Sequence, residues 1–110
     1  MSDTYLEDFK RATERKTKVE GLLKERKAAW NTGNPTSRFD FLIKSARLNL
    51  NEDIGLLERH AYTYKFGNQN EMSKKEKNAR VEQINKFVEK ARQLIDAEVD
   101  LGLKKSFDPE

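Results

Sequence analysis

SKKEKNARVEQINKFVEKARQLIDAEVDL, residues 73–101, opens on Ser73 with Glu76 three positions later. That pair is a capping box, in which each side chain satisfies the other residue's backbone N–H at a helix start. Behind it Val81, Ile84, Val88, Ala91 and Ile95 step by three and four. This spacing keeps them on one face of a helix. Phe87 and Leu94 widen the face, and Gly102 stands where a left-handed stop is expected. A helix with one apolar stripe cannot bury it alone, so the rest of the chain must supply partners.

Working outward, residues 3–30 predict a first helix. Asp3 or Ser2 caps it, and Glu7 and Asp8 favour the positive end of its dipole. Tyr5, Phe9, Ala12, Lys16, Val19, Leu23, Arg26 and Trp30 alternate steps of four and three, flanked by Leu6 and Leu22. Two seam positions, Lys16 and Arg26, are basic. Either they lay their stems along the seam edge with the charged head in water, or they face an acidic partner. Asn31-Thr32-Gly33-Asn34-Pro35 is a turn by composition; Gly33 ends the first helix, and Asn34 or Thr36 caps the next. The second helix spans residues 36–66. Its stripe is Phe39, Ile43, Ala46, Leu50, Ile54, Leu57, Ala61 and Tyr64, with Phe41, Leu42, Leu48 and Leu56 expected to broaden it toward both neighbours. Gly67 or Asn68 stops it.

Short connections make sequential helices antiparallel neighbours. The predicted fold is therefore all-α, an antiparallel up-down-up three-helix bundle over residues 1–103, with 104–110 a tail or linker start. The start of the first helix, the end of the second and the start of the third share one pole, where Tyr5, Phe9, Tyr64 and Phe66 should cluster. Trp30, Phe39, Leu94 and Ile95 should cluster at the other.

Composition narrows the function classes. Charged residues make up 37% and the hydrophobic set 35%, a balance that suits a thin bundle with much surface. There is no Cys, which excludes disulfides, thiol catalysis and cysteine metal sites. No run approaches the ~20 apolar residues of a membrane span, and MSDTYLEDFKR lacks the apolar core of a signal peptide. The single His60 has no helix-spaced second ligand and reads as a surface histidine, and Glu52-Asp53 reads as solvated surface. No phosphate loop and no nucleophile with a recognisable base is present, so neither enzymatic activity nor a cofactor is expected.

The net charge is +3, and acids interrupt the basic residues almost everywhere. Lys10, Arg11, Arg15 and Lys18 motivate one alternative, a basic helical nucleic-acid-binding module. The mixed-charge surface argues against it, and nucleic acid is not an expected partner. An anionic-membrane binder is disfavoured because no helix joins a strong basic face to an exposed apolar one. Tyr62, Tyr64 and Phe66 alternate, so they cannot all face one core; one or two should be exposed and open to a partner.

One resemblance bears on function. Met72-Ser73-Lys74-Lys75-Glu76-Lys77-Asn78-Ala79-Arg80-Val81, then Ile84 and Phe87, resembles the third helix of N-terminal domains in Qc-type SNARE proteins, relatives of syntaxin six and syntaxin eight. Ala46-Arg47-Leu48-Asn49-Leu50-Asn51-Glu52-Asp53-Ile54-Gly55-Leu56-Leu57-Glu58 is similar to that group's second helix. The resemblance implies a regulatory three-helix domain that binds SNAREs, tethering factors or other trafficking proteins in vesicle fusion. It implies a cytosolic monomeric domain at endosomal or Golgi membranes, attached only through an anchor outside this chain. Candidate partner-binding residues are Lys16, Arg26, Tyr62, Tyr64 and Phe66.

Overall fold

The computed structural model describes residues 4–67 and 72–106, and of 97–106 the backbone alone. Three α-helices follow one another: α1 (Tyr5–Asn31), α2 (Ser37–Phe66) and α3 (Lys74–Ser106). The fold is an all-α three-helix bundle, 59 × 21 × 17 Å.

The expected caps on Ser2 and Asp3 lie outside the described residues. Thr4 occupies the N-cap of α1, and its hydroxyl donates to Asp8 Oδ2 at 2.8 Å. At the other end, Gly33 takes φ +77°, the left-handed region. Its N–H bonds Trp30 O at 3.1 Å, and the Asn34 N–H bonds Ala29 O at 2.8 Å. The two bonds form a Schellman motif that satisfies the last carbonyls of α1. A Cβ at this φ is disfavoured, so Gly33→Ala is expected to cost about 1 kcal/mol, read as a lower urea midpoint at unchanged slope. At the start of α3 the Glu76 N–H bonds Ser73 Oγ at 3.1 Å, the first half of the capping box. The Glu76 carboxylate bonds Arg80 Nη2 instead, at 3.2 Å.

Gly102 does not stop α3, which runs on to Ser106. A glycine within a helix costs about 1 kcal/mol against Ala but ends it only when the backbone turns left-handed. Residues 104–106, expected as tail, are helical; 107–110 lie outside the described residues.

The core is the predicted stripe: Tyr5, Ala12 and Val19 from α1, Ala46, Leu50, Ile54, Leu57, Ala61 and Tyr64 from α2, and Val81, Ile84, Val88, Ala91 and Ile95 from α3. At the first pole Tyr5 meets Phe9 and Tyr64, with centroids 5.6 and 5.8 Å away. Phe66 does not join them; it is exposed and packs on Tyr62 at 4.9 Å. At the second pole Ile95 is buried and Leu94 packs on the core, but Trp30 is exposed. Nor do all the flanking residues widen the buried face. Leu22, Leu42 and Leu56 are half-buried, while Leu6, Phe41 and Leu48 are exposed. The reason is angular. At 3.6 residues per turn, positions nine apart stand on opposite sides of a helix, so Phe41 points away from Leu50 and Leu48 away from Leu57.

Candidate interaction surfaces

Helix α2 packs against both of its neighbours, whereas α1 and α3 barely meet. Their gap is bridged near the first pole. The Tyr5 hydroxyl donates to Gln83 Oε1 at 2.6 Å, and the Phe9 and Phe87 rings meet at 5.1 Å. Beyond that bridge the two helices leave a hollow of 390 Å³, lined by Phe9, Thr13, Lys16 and Thr17 of α1 and Gln83, Lys86, Phe87 and Lys90 of α3. The spacing explains the lining. Positions 9, 13 and 16 on α1 and 83, 87 and 90 on α3 step by three and four, so each set forms one ridge.

The groove has two aromatic rings in its floor and three lysines on its rim, with no carboxylate in its lining. Lys16 is bridged to Glu20 at 2.9 Å and Lys86 to Glu82 at 3.4 Å, each one turn along its own helix. The Lys86–Glu82 pair is exposed, so it is worth about 0–1 kcal/mol and exchanges readily for a better partner.

The seam between α1 and α2 is held by polar contacts that sequence reading did not anticipate. Asp53 is buried, not solvated: its carboxylate accepts from Arg11 Nε at 3.2 Å and from Arg15 Nη1 at 3.2 Å. Arg11 also bridges Asp8 at 3.0 Å. His60, expected at the surface, is half-buried beside the Tyr5 and Tyr64 rings, and its Nε2–H donates to Asp8 Oδ2 at 2.8 Å. Asp53 faces inward because it stands three positions after Leu50 and four before Leu57, inside the stripe. Two of the four cations that suggested nucleic-acid binding, Arg11 and Arg15, are thus engaged within the bundle.

Partial burial pushes the Asp8 carboxyl up, but hydrogen bonds from His60 and Thr4 and the charges of His60 and Arg11 outweigh it and hold its pKa below 3.8. A folded-state pKa below the unfolded one adds stability that is complete above the unfolded value. That stability is lost as pH falls through the folded value. Asp8→Asn is therefore expected to flatten the acid limb of a melting-temperature profile below about pH 4.

The five candidate residues fall in different places. Lys16 is on the groove rim. Arg26 is buried and paired with Asp40 of α2, so it ties two helices together and presents no open face. Tyr64 is a core residue, and its hydroxyl accepts from Arg80 Nη1 at 2.8 Å while the Arg80 guanidinium lies 4.6 Å from the Tyr5 ring centroid. Tyr62 and Phe66 are exposed on α2. Phe87, Lys86 and Lys90 were not singled out as partner-binding, although the 83-87-90 ridge was available from their spacing.

Comparison with family models, with curated proteins and with solved structures finds no match to this chain. Among the described residues no helix is long and apolar enough to cross a membrane, and no group of three or more His, Asp or Glu side chains is placed to hold a metal.

Proposed function

We propose that this chain is a helical protein-interaction domain that takes an acidic amphipathic helix along its α1–α3 groove. The observation that carries the reading is the groove lining: Phe9 and Phe87 below, Lys16, Lys86 and Lys90 at the rim, and no acid between them. A helix laid in such a groove sets apolar anchors at three- and four-residue spacing on the rings and acidic residues against the lysines. The aromatic floor supplies most of the affinity, and the lysines supply orientation and association rate.

The resemblance of residues 46–58 and 72–87 to Qc-type SNARE N-terminal domains supports a narrower version. In it the occupant belongs to a SNARE, a tethering factor or another trafficking protein, and binding regulates vesicle fusion at endosomal or Golgi membranes. Affinity capture from cytosol tests it, with Lys16→Glu/Lys86→Glu/Lys90→Glu as the comparison. Trafficking components should be enriched on the natural chain and lost from the charge-reversed one. Capture of none, or equal capture by both, would refute the narrower version.

A further inference from the structure

Helix α2 is apolar on two opposite faces. Besides its core stripe it carries Phe41, Leu48, Tyr62 and Phe66, which are 72%, 55%, 66% and 69% exposed. Phe41, Leu48 and Tyr62 occupy a seven-residue repeat whose remaining slot is Gly55. Each lies on the side away from the core, since Leu50, Leu57 and Asp53 stand nine positions from Phe41, Leu48 and Tyr62 respectively. A soluble helix usually keeps its outer face polar. Four large apolar residues aligned over two dozen positions mark an interaction surface.

Three further features say what covers it. A Cβ built on Gly55 meets nothing within 4 Å, so the bundle itself sets no steric demand for glycine in mid-helix. A close-approaching helix would. The same outer face carries an exposed Lys44 toward one end and, nearer its middle, one acid and one base, Glu52 and Arg59, both exposed and in no ion pair within the described bundle. They flank Gly55 on either side, so the strip is self-complementary under a twofold rotation. Finally, the antiparallel register that sets Phe66 against Phe41 of a second copy also sets Arg59 against Leu48 and Ser45 against Tyr62. It places Glu52 opposite Gly55 and within about 6 Å along the axis, one helical turn, of Arg59 of the second copy.

We propose that two copies of this chain pair antiparallel through the outer faces of α2, crossing near Gly55, with Glu52 of each copy bridged to Arg59 of the other. The groove between α1 and α3 lies on the opposite side of the bundle, so the pair leaves both grooves open. A dimer then presents two helix-binding sites back to back and gains avidity for a bivalent partner. The proposal uses residues outside the groove and stands or falls separately from the reading above.

Sedimentation equilibrium across a wide concentration range is the test. The natural chain should shift with concentration toward twice its 12.9 kDa mass. Glu52→Arg and Arg59→Glu each bring like charges together on both sides of the twofold and should weaken association at least about a hundredfold. The double variant Glu52→Arg/Arg59→Glu restores both bridges with their signs exchanged and should recover the dimer. Gly55→Gln, which the monomer accommodates, should abolish it at unchanged helical circular dichroism. A chain that stays monomeric at every concentration overturns the proposal. So does a dimer indifferent to the single charge reversals, or one not recovered by the double variant.

Discussion

Replacing Arg11 and Arg15 together with leucine should destabilise the bundle more than replacing Asp53, the residue they share. The asymmetry follows from burial. Asp53 is 1% exposed, whereas the side chains of Arg11 and Arg15 are 41% and 36% exposed. Removing both guanidiniums strands an ionised carboxylate in the interior, and an uncompensated buried charge costs about 3–5 kcal/mol. Removing the carboxylate by Asp53→Leu leaves two cations that rehydrate and puts an apolar side chain among Leu50, Ile54 and Leu57. An apolar replacement of a buried ion is often neutral or stabilising, so this variant should stay within about 1–2 kcal/mol of the natural chain. Urea unfolding of the two variants measures the difference, and equal losses would show that the Asp53 cluster is not enclosed as described.

A second large effect is expected at Leu57, which is fully enclosed between the helices. Leu57→Ala removes apolar contacts and leaves a cavity, at about 2–5 kcal/mol. Small domains have only about 5–15 kcal/mol of stability in total, so this single change removes a large part of it. Leu48→Ala, nine positions earlier and on the opposite side of α2, should change the monomer by no more than about 0.5 kcal/mol. Thermal melts of the pair at low concentration, where self-association does not contribute, test whether α2 has one structural face and one free face. Similar losses at both positions would contradict that division.

The fold was largely legible because it depends on periodicity. The three- and four-residue steps through Tyr5–Trp30, Phe39–Tyr64 and Val81–Ile95 named nearly every core residue, and Gly33 announced its own left-handed turn. Legibility failed where two residues of the same type have different surroundings. Leu42 and Leu56 are half-buried on α2 while Phe41 and Leu48 are exposed, and hydrophobicity alone does not separate them. Their angular distance from Leu50 does. Polar pairing across helices was hidden for another reason. Asp53 meets Arg11 and Arg15 across 42 and 38 residues of chain, and His60 meets Asp8 across 52. No local pattern encodes such partners. Even so, an aspartate lodged between Leu50 and Leu57 in an apolar stripe was a signal that a buried cation partner had to exist. The groove follows from packing: three helices of similar length give α2 two neighbours, and how far α1 and α3 stand apart is set by which side chains meet between them.

The claim that the α1–α3 groove is a binding site is tested most directly by a photo-crosslinking residue at Thr13, an exposed position inside the groove lining. In cytosol, Thr13-labelled protein should form a discrete adduct, and digestion should place the crosslink in an acidic amphipathic segment of the partner. The same label at Asn49, exposed on α2 outside the groove, should not give this adduct. An adduct from Asn49 but none from Thr13, or none from either position, would contradict the account.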